Sequence, residues 1–405
     1  MLKKAQNLCV KKDKIMQKEI KTENIPIKMW LDDIEKGAMD QARNLANLPF
    51  AYKHICLMPD AHQGYGMPIG GVLASEDVIV PNAVGVDIGC GMCAVETNIE
   101  ADGLSREQLT KIMKGVREVV PLGFEHQKHN QDESLMPKGY TIEKFNVVKL
   151  QYYRALKQLG TLGGGNHFIE LQKSDKGHLW IMIHSGSRNF GLKVAEYYNQ
   201  LAKKLNKQYN SNVDPKVDLA YFPFDTREGH LYFQEMKYCT EFALANRKLM
   251  LERIQQVTSS VLNGIEYKPM INIAHNYATF EEHFGKKVIV HRKGATSAKF
   301  GEIGIIPGSQ GTKSYIVEGL GNPESFMSCS HGAGRVMSRT AAIKNLNLEE
   351  EKEKLDKLGI IHSIRGKNDL EEASSAYKDI AEVMALQSDL VKILVELSPL
   401  AVVKG

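Results

Sequence analysis

Apolar and polar positions along the chain follow two rhythms. Helical spacing, with apolar residues three and four apart, predicts helices over 31–48, 105–120, 148–159, 191–209, 231–262 and 376–397, and a charged helix over 340–357. Pro49 closes the first, because it cannot continue a helix, and Pro399 follows the last. Short apolar runs predict strands at 53–58, 78–80, 179–183, 271–274 and 288–291. The Gly, His, Asn and Pro of 121–140 predict a surface loop. Residues 1–22, rich in Lys and Gln, predict a lead-in helix or a frayed tail with a solvated face. No internal repeat or low-complexity linker divides the rest. Helices and strands mixed in this way predict an α/β (α+β) fold, with an N-terminal extension at 1–22 and one integrated domain over 23–405.

Several apolar runs end alike, with a polar residue beside glycine. The pairs are Asp60 and His62, Asp87 and Cys90, Asn166 and His167, and His275 and Asn276; His184 and His331 stand in similar places. A side chain at the end of a buried strand can face a pocket from a rigid support. Each histidine alone reads as a satisfied structural residue. Together, Asp87, Cys90, His167, His184 and His275 offer O, S and N donors enough for two divalent ions, with a thiolate or carboxylate between them. The stretch Val84–Cys93 is the centre of this pattern, and its glycines at 85, 89 and 91 allow close approach.

Composition changes this picture little. The formal net charge of +4 over 405 residues permits a nucleic-acid partner without arguing for one. The cysteines at 9, 56, 90, 93, 239 and 329 show no disulfide-framework spacing, which favours reduced thiols and the cytoplasm. No apolar run is long enough to span a bilayer, and the lysine-rich start lacks the apolar core of a signal peptide, so no membrane partner is expected. Cys90 and Cys93 match C-x-x-C, but no second pair accompanies them, and Cys93 is expected in the core.

Two further loops carry candidate chemistry. Pro307–Ser314 approaches a phosphate-binding loop but fails the spacing, since Thr312 separates Gly311 from Lys313. Its backbone N–H groups can still cradle a phosphate or a base, or form a tight turn. His331-Gly332-Ala333-Gly334-Arg335 is sharper. A neutral imidazole is a competent nucleophile toward phosphorus, the small residues admit a phosphate, and Arg335 can neutralise it. Arg188 offers a second guanidinium. The Lys-x-Asp-Gly signature of lysine-nucleophile ligases is absent.

These residues resemble the RtcB family of GTP-dependent RNA ligases, over nearly the whole chain. The resemblance rests on Met58–Gly64, Val86–Gly91, Gly165–Phe168, His184–Arg188, His275-Asn276, Pro307–Ser309, Ser330–Arg335 and Val403-Lys404-Gly405. It implies a single domain of mixed sheets flanked by helices around a central metal pocket. It implies two Mn²⁺ ions on Asp87, Cys90, His167, His184 and His275, and His331 as the nucleophile that carries GMP. It places Asn166, His167, Phe168, Ile169, Glu170, His275, Asn276, Pro307, Gly308, Ser309, Gln310, Ser314, His331, Gly332, Ala333, Gly334 and Lys404 around GTP. Arg188 and Arg335 would contact RNA or phosphate. The reaction implied joins RNA 2′,3′-cyclic phosphate or 3′-phosphate ends to 5′-hydroxyl ends, in tRNA splicing or RNA repair. The partners are broken or spliced tRNA and GTP, in a monomer or weak homo-oligomer that leaves room for an accessory activator.

The chain departs from the family in detail. Asn189-Phe190 stand between Arg188 and Gly191, Gln310 stands where Met is common, and Cys93 replaces another residue. No ligand and no nucleophile is lost. Two competing readings remain: a two-metal phosphoesterase that opens cyclic phosphates without ligation, and a non-catalytic RNA-binding scaffold.

Overall fold

The structure, a computed structural model, describes residues 16–405. Most of the predicted lead-in segment, residues 1–15, lies outside the described residues. Its last part is neither helix nor tail: Lys18–Ile20 is a strand paired antiparallel with Ile27–Met29.

Two sheets organise the molecule. The first has six strands in the order Lys18–Ile20, Ile27–Met29, Ala51–His62, Ile69–Ser75, Lys286–Lys293 and Asn276–His283. The second has seven, in the order Ile271–Ala274, Gly91–Glu100, His178–Ser185, Phe168–Ser174, Val391–Lys404, Ser314–Gly319 and Ile303–Ile306. The chain is thus a mixed α/β protein, as the intermixed periodicities implied.

Strand alternation assigns each face of the seven-stranded sheet. Cys93, Val95, Ile169, Leu171, Ile181 and Ile183 pack against Ile112, Met113 and Val116 of helix Arg106–Val119 and Met250, Leu251 and Ile254 of helix Arg227–Val261. Their neighbours Met92, Ala94, Phe168, Trp180 and Met182 face the other way, toward Ile305, Ile316 and Leu397. Cys93 therefore sits in the helix-covered core, with burial pushing its thiol up to about 12. The five described cysteines are all buried and unbridged. Among the described residues, no helix is long and apolar enough to cross a membrane.

Two predicted helices fold differently. The 340–357 segment forms two, Arg339–Asn345 and Leu348–Lys357, because Asn347 accepts the Glu349 and Glu350 amides and starts a new helix between them. The 376–397 segment keeps only Ile380–Ala385 as helix; Val391–Lys404 is a strand between two others. Partners on both sides satisfy its backbone, and its β-branched Val391, Ile393 and Val395 suit a strand, so tertiary pairing overrides the helical spacing. Pro399, read as a helix stop, lies at a register shift where no ladder donor is needed.

Candidate active site

Four adjacent strands of the seven-stranded sheet bring their ends together. Met92 lies opposite both Ile273 and His184, and His184 lies opposite Phe168. Cys90, His167 and His275 flank these strand ends, so the register gathers them with His184 at one edge of the sheet. Asp87 joins from the preceding loop. That loop can approach because Gly89 has φ +75° and a Cβ there would stand 2.7 Å from Thr240 Cα of the long helix.

The donor atoms converge. Cys90, His184 and His275 form one group and Asp87, Cys90 and His167 another, the ligand atoms of each within 4.8 Å of one another. Cys90 belongs to both. Its Sγ lies 3.3 Å from His184 Nε2 and 3.5 Å from His167 Nε2, and Asp87 Oδ2 lies 3.2 Å from His167 Nε2. His167 Nδ1 donates to the Leu162 carbonyl at 2.9 Å and His184 Nδ1 to that of Asn166 at 3.2 Å. Each bond turns an Nε2 lone pair toward the cluster, as metal-binding histidines require.

The electrostatics agree with a cation site. Burial and the neighbouring histidines hold His184 and His275 far below the ordinary imidazole range, so both are neutral. Burial would raise Asp87, but its hydrogen bond to His167 and nearby positive charge bring it down to about 2. Burial and the Asp87 carboxylate push the Cys90 thiol up. The site thus combines a carboxylate, the imidazole lone pairs of His184 and His275 and a thiol, and His275 Nδ1 is buried without a partner. A divalent ion fits that donor set and would favour the thiolate.

His331 stands beside this cluster, its ring 4.8 Å from that of His275. Asp60, fully buried, holds it from behind. The carboxylate accepts from His331 Nδ1 at 2.6 Å and from the His331 and Gly332 amides at 3.0 and 3.3 Å. Burial would raise Asp60, yet the charge and hydrogen bond of His331 hold it below the usual carboxylate value. In the neutral ring, donation from Nδ1 to Asp60 leaves the lone pair on Nε2. Gly334 has φ +73° and packs so tightly on Asp60 that a Cβ would lie 2.3 Å from its carbonyl oxygen.

Both groups open on one cavity of about 670 Å³. Asn166, Phe168, Glu170, Asn276, the Pro307–Gln310 turn, Gly332, Ala333, Gly334, Arg335 and Lys404 line it, as do Asp87, Cys90, His184, His275 and His331. Glu170 is buried on the wall beside Gln172 Nε2 at 2.6 Å, and burial lifts its carboxyl to about 8. Lys404 Nζ is 5.5 Å from the Phe168 ring centre.

Some candidates are placed elsewhere. The Ile169 side chain faces the helix-covered core, because strand alternation turns it away from Phe168 and Glu170. Ser314 supports the cavity from behind, its Oγ accepting from the Gly308 amide at 3.2 Å. Arg188 is tied to Thr161 Oγ1 and the Gly123 carbonyl beside the Asp87, Cys90 and His167 group. Arg335 lines the cavity, but Glu372, Tyr377 and the Glu371 and Met337 carbonyls engage its guanidinium.

Other residues entered without a motif. Arg339 reaches the cavity and bonds Glu372 at 3.1 Å. Lys293 is nearly buried on the wall, and burial lowers its ammonium to about 7. Its Nζ donates to the Tyr65 and Asn82 carbonyls. Most consequential is Arg247, fully buried on the long helix. It donates to the carbonyls of Gly89 at 3.1 Å, Ser185 at 2.7 Å and Ile273 at 3.1 Å, the first two adjoining Cys90 and His184 and the third two residues before His275. The one available signal was a polar pair, Asn246-Arg247, inside the apolar stripe from Ala243 to Met250.

A mixed α/β fold with a Cys/His/Asp cluster and a carboxylate-held histidine in one deep cavity defines the class. Comparison with known proteins identifies the family within that class. Residues 41–405 match the family model described as tRNA-splicing ligase RtcB. The chain is 40% identical over 406 residues to the RNA-splicing ligase RtcB of Escherichia coli (strain K12), covering 95% of this chain and 98% of that protein. It is 35% identical to the tRNA-splicing ligase RtcB of Nanoarchaeum equitans, covering 94% and 96%, and 33% identical to that of Thermococcus kodakarensis, covering 94% and 95%. The chain belongs to the RtcB family.

Proposed function

We propose that this protein is a GTP-dependent RNA ligase. It joins a 3′-phosphate end, or one opened from a 2′,3′-cyclic phosphate, to a 5′-hydroxyl end in tRNA splicing or RNA repair. The observation that carries the reading is His331: a histidine with Nδ1 held by a buried carboxylate, beside a metal-ligand cluster, in a cavity large enough for a nucleotide. The family membership and the names of its relatives support the same reading.

The residues divide the work. His331 Nε2 attacks the α-phosphorus of GTP; a P–N bond forms and pyrophosphate leaves. An oxygen of the RNA 3′-phosphate then displaces the histidine and takes the GMP. Finally the 5′-hydroxyl attacks the RNA phosphorus, GMP departs and the phosphodiester forms. Asp60 fixes the ring and stabilises positive charge on it during transfer. Asp87, Cys90 and His167 would hold one Mn²⁺ ion and Cys90, His184 and His275 another. Bound there, the metals supply charge neutralisation for the phosphoryl oxygens. Glu170 is suited to the guanine edge, whose N–H groups are donors.

The test is incubation with α-labelled GTP and Mn²⁺. The wild type should retain an acid-labile label, and His331→Ala should lose it by at least about a hundredfold. Equal labelling of the two proteins would sink the ligase reading. Opening of cyclic phosphate ends with no joining would leave the two-metal phosphoesterase.

A further inference from the structure

Helix Val148–Gln158 has an unusual outer face. It buries Val148, Ala155, Leu156 and Gln158. The opposite side carries Lys149, Leu150, Tyr153, Arg154 and Lys157, all exposed. At about 100° per residue, these five fall within about 140° of the circumference. Lys149, Tyr153 and Lys157 are four apart and stand in one line. The helix itself carries no acid; Glu125 is on the adjoining loop, Glu143 in a short turn before the helix, and Glu133, in another such turn, acts on Tyr152 at the side of this face. A lone exposed apolar residue needs no explanation. Here Leu150 is 74% exposed and Tyr153 72%, interleaved with cations only, and Phe124 on the adjoining loop is 98% exposed.

This ridge runs to the candidate site. The Gln127 and Gln131 amides donate to the Lys157 and Leu156 carbonyls, which lays the Phe124 loop along the last turn of the helix. The Gly123 carbonyl accepts from Arg188 Nη2 at 3.0 Å. Gly123 also packs on Gly164, where a Cβ would lie 3.8 Å from its Cα. Gly164 belongs to the loop that delivers Asn166 to the cavity and His167 to the cluster. Basic groups beside exposed aromatic rings suit a single nucleic-acid strand: cations take the phosphates, and rings stack the bases whatever their sequence.

We propose that the RNA strand leading to the joined end lies along this ridge, with phosphates against Lys149, Arg154 and Lys157 and bases stacked on Phe124 and Tyr153. The proposal rests on the RNA-ligase reading above and adds where the strand docks.

The test uses the full chain and a fluorescein-labelled single-stranded RNA of about 20 nucleotides with a 3′-phosphate. Binding is followed by anisotropy over a range of salt. Phe124→Ala with Tyr153→Ala should weaken binding by at least about tenfold at fixed salt. The triple variant Lys149→Gln, Arg154→Gln, Lys157→Gln should flatten the log–log salt slope by about two, since each phosphate contact on a single strand contributes about 0.7. In ligation, KM for the long strand should rise, while a trinucleotide too short to reach the ridge is joined as by wild type. Labelling by GTP alone should not change, which also reports that the variants are folded. Long-RNA binding within twofold of wild type across the salt range would overturn the ridge alone. So would a changed oligomeric state with unchanged RNA affinity, which would make the face a contact between copies. If the wild type neither binds nor joins RNA, the ligase reading falls and the ridge falls with it.

Discussion

At the residue scale, Glu170 shows how burial tunes a candidate binding group. Its carboxyl is lifted to about 8, above an ordinary glutamate. Between about pH 4.5 and 8, the folded protein therefore holds a proton that the unfolded chain releases. Stability of the nucleotide-free protein must fall as pH rises through that window. Glu170→Gln removes the titration, so the variant should gain in melting temperature relative to wild type from pH 5 to pH 8. The same substitution should weaken GTP labelling by about tenfold or more, because two guanine N–H donors favour the ionised form of Glu170 once bound, and an amide cannot accept from both as that carboxylate can. Melting curves at the two pH values and a GTP titration read both effects. A constant gap between the melting temperatures would show that Glu170 does not titrate in this way.

At the element scale, the long helix Arg227–Val261 is the clamp of the site. Arg247 ties the Gly89 loop to the ends of strands His178–Ser185 and Ile271–Ala274, and Asn246 beside it bonds the Gly160 and Thr161 amides and the Gly186 carbonyl. Burial brings the guanidinium down to about 10, so it remains charged at neutral pH. Arg247→Met keeps much of the volume but leaves three carbonyls without their donor. It should destabilise the fold by about 3 kcal/mol and lower the uptake of added divalent metal although every candidate ligand is kept. Denaturant titration and metal analysis of the purified variant test this. Full metal content at reduced stability would confine Arg247 to a folding role.

At the scale of the whole molecule, the C-terminal strand joins the core to the chemistry. Val391–Lys404 lies between Phe168–Ser174 and Ser314–Gly319, with Val402 and Val403 fully buried on opposite faces and Lys404 at the cavity. Val403→Asp places an unpaired carboxylate in the helix-covered core, at a cost of several kcal/mol. It should lower the melting temperature by at least about 5 °C and reduce GTP labelling with it. Val403→Ile, which stays apolar, should retain both. A Val403→Asp variant that melts like wild type would remove the strand from the structural core.

The chain's own order of residues determined much. The apolar runs located five of the strands but not Gly91–Glu100 or Phe168–Ser174 beside the site, the Gly-flanked Asp, Cys and His residues marked the segments that carry the candidate chemistry, and His331 stood out by its small neighbours and its arginine. Those features are local, since they depend on residue type and short spacing. What each loop meets is not local. Only strand register puts His184 between Met92 and Phe168, so that Cys90 can serve both groups of ligands. Only alternation within a paired strand separates Glu170, at the cavity, from Ile169, in the core. The terminal segment has helical spacing and becomes a strand because two partners satisfy its backbone. Arg247 reads as an interruption of a helix stripe until the fold sets three carbonyls around it. Val84–Cys93 by itself reads equally as a core turn; the tertiary structure turns Cys90 to the histidines and buries Cys93 under the helices.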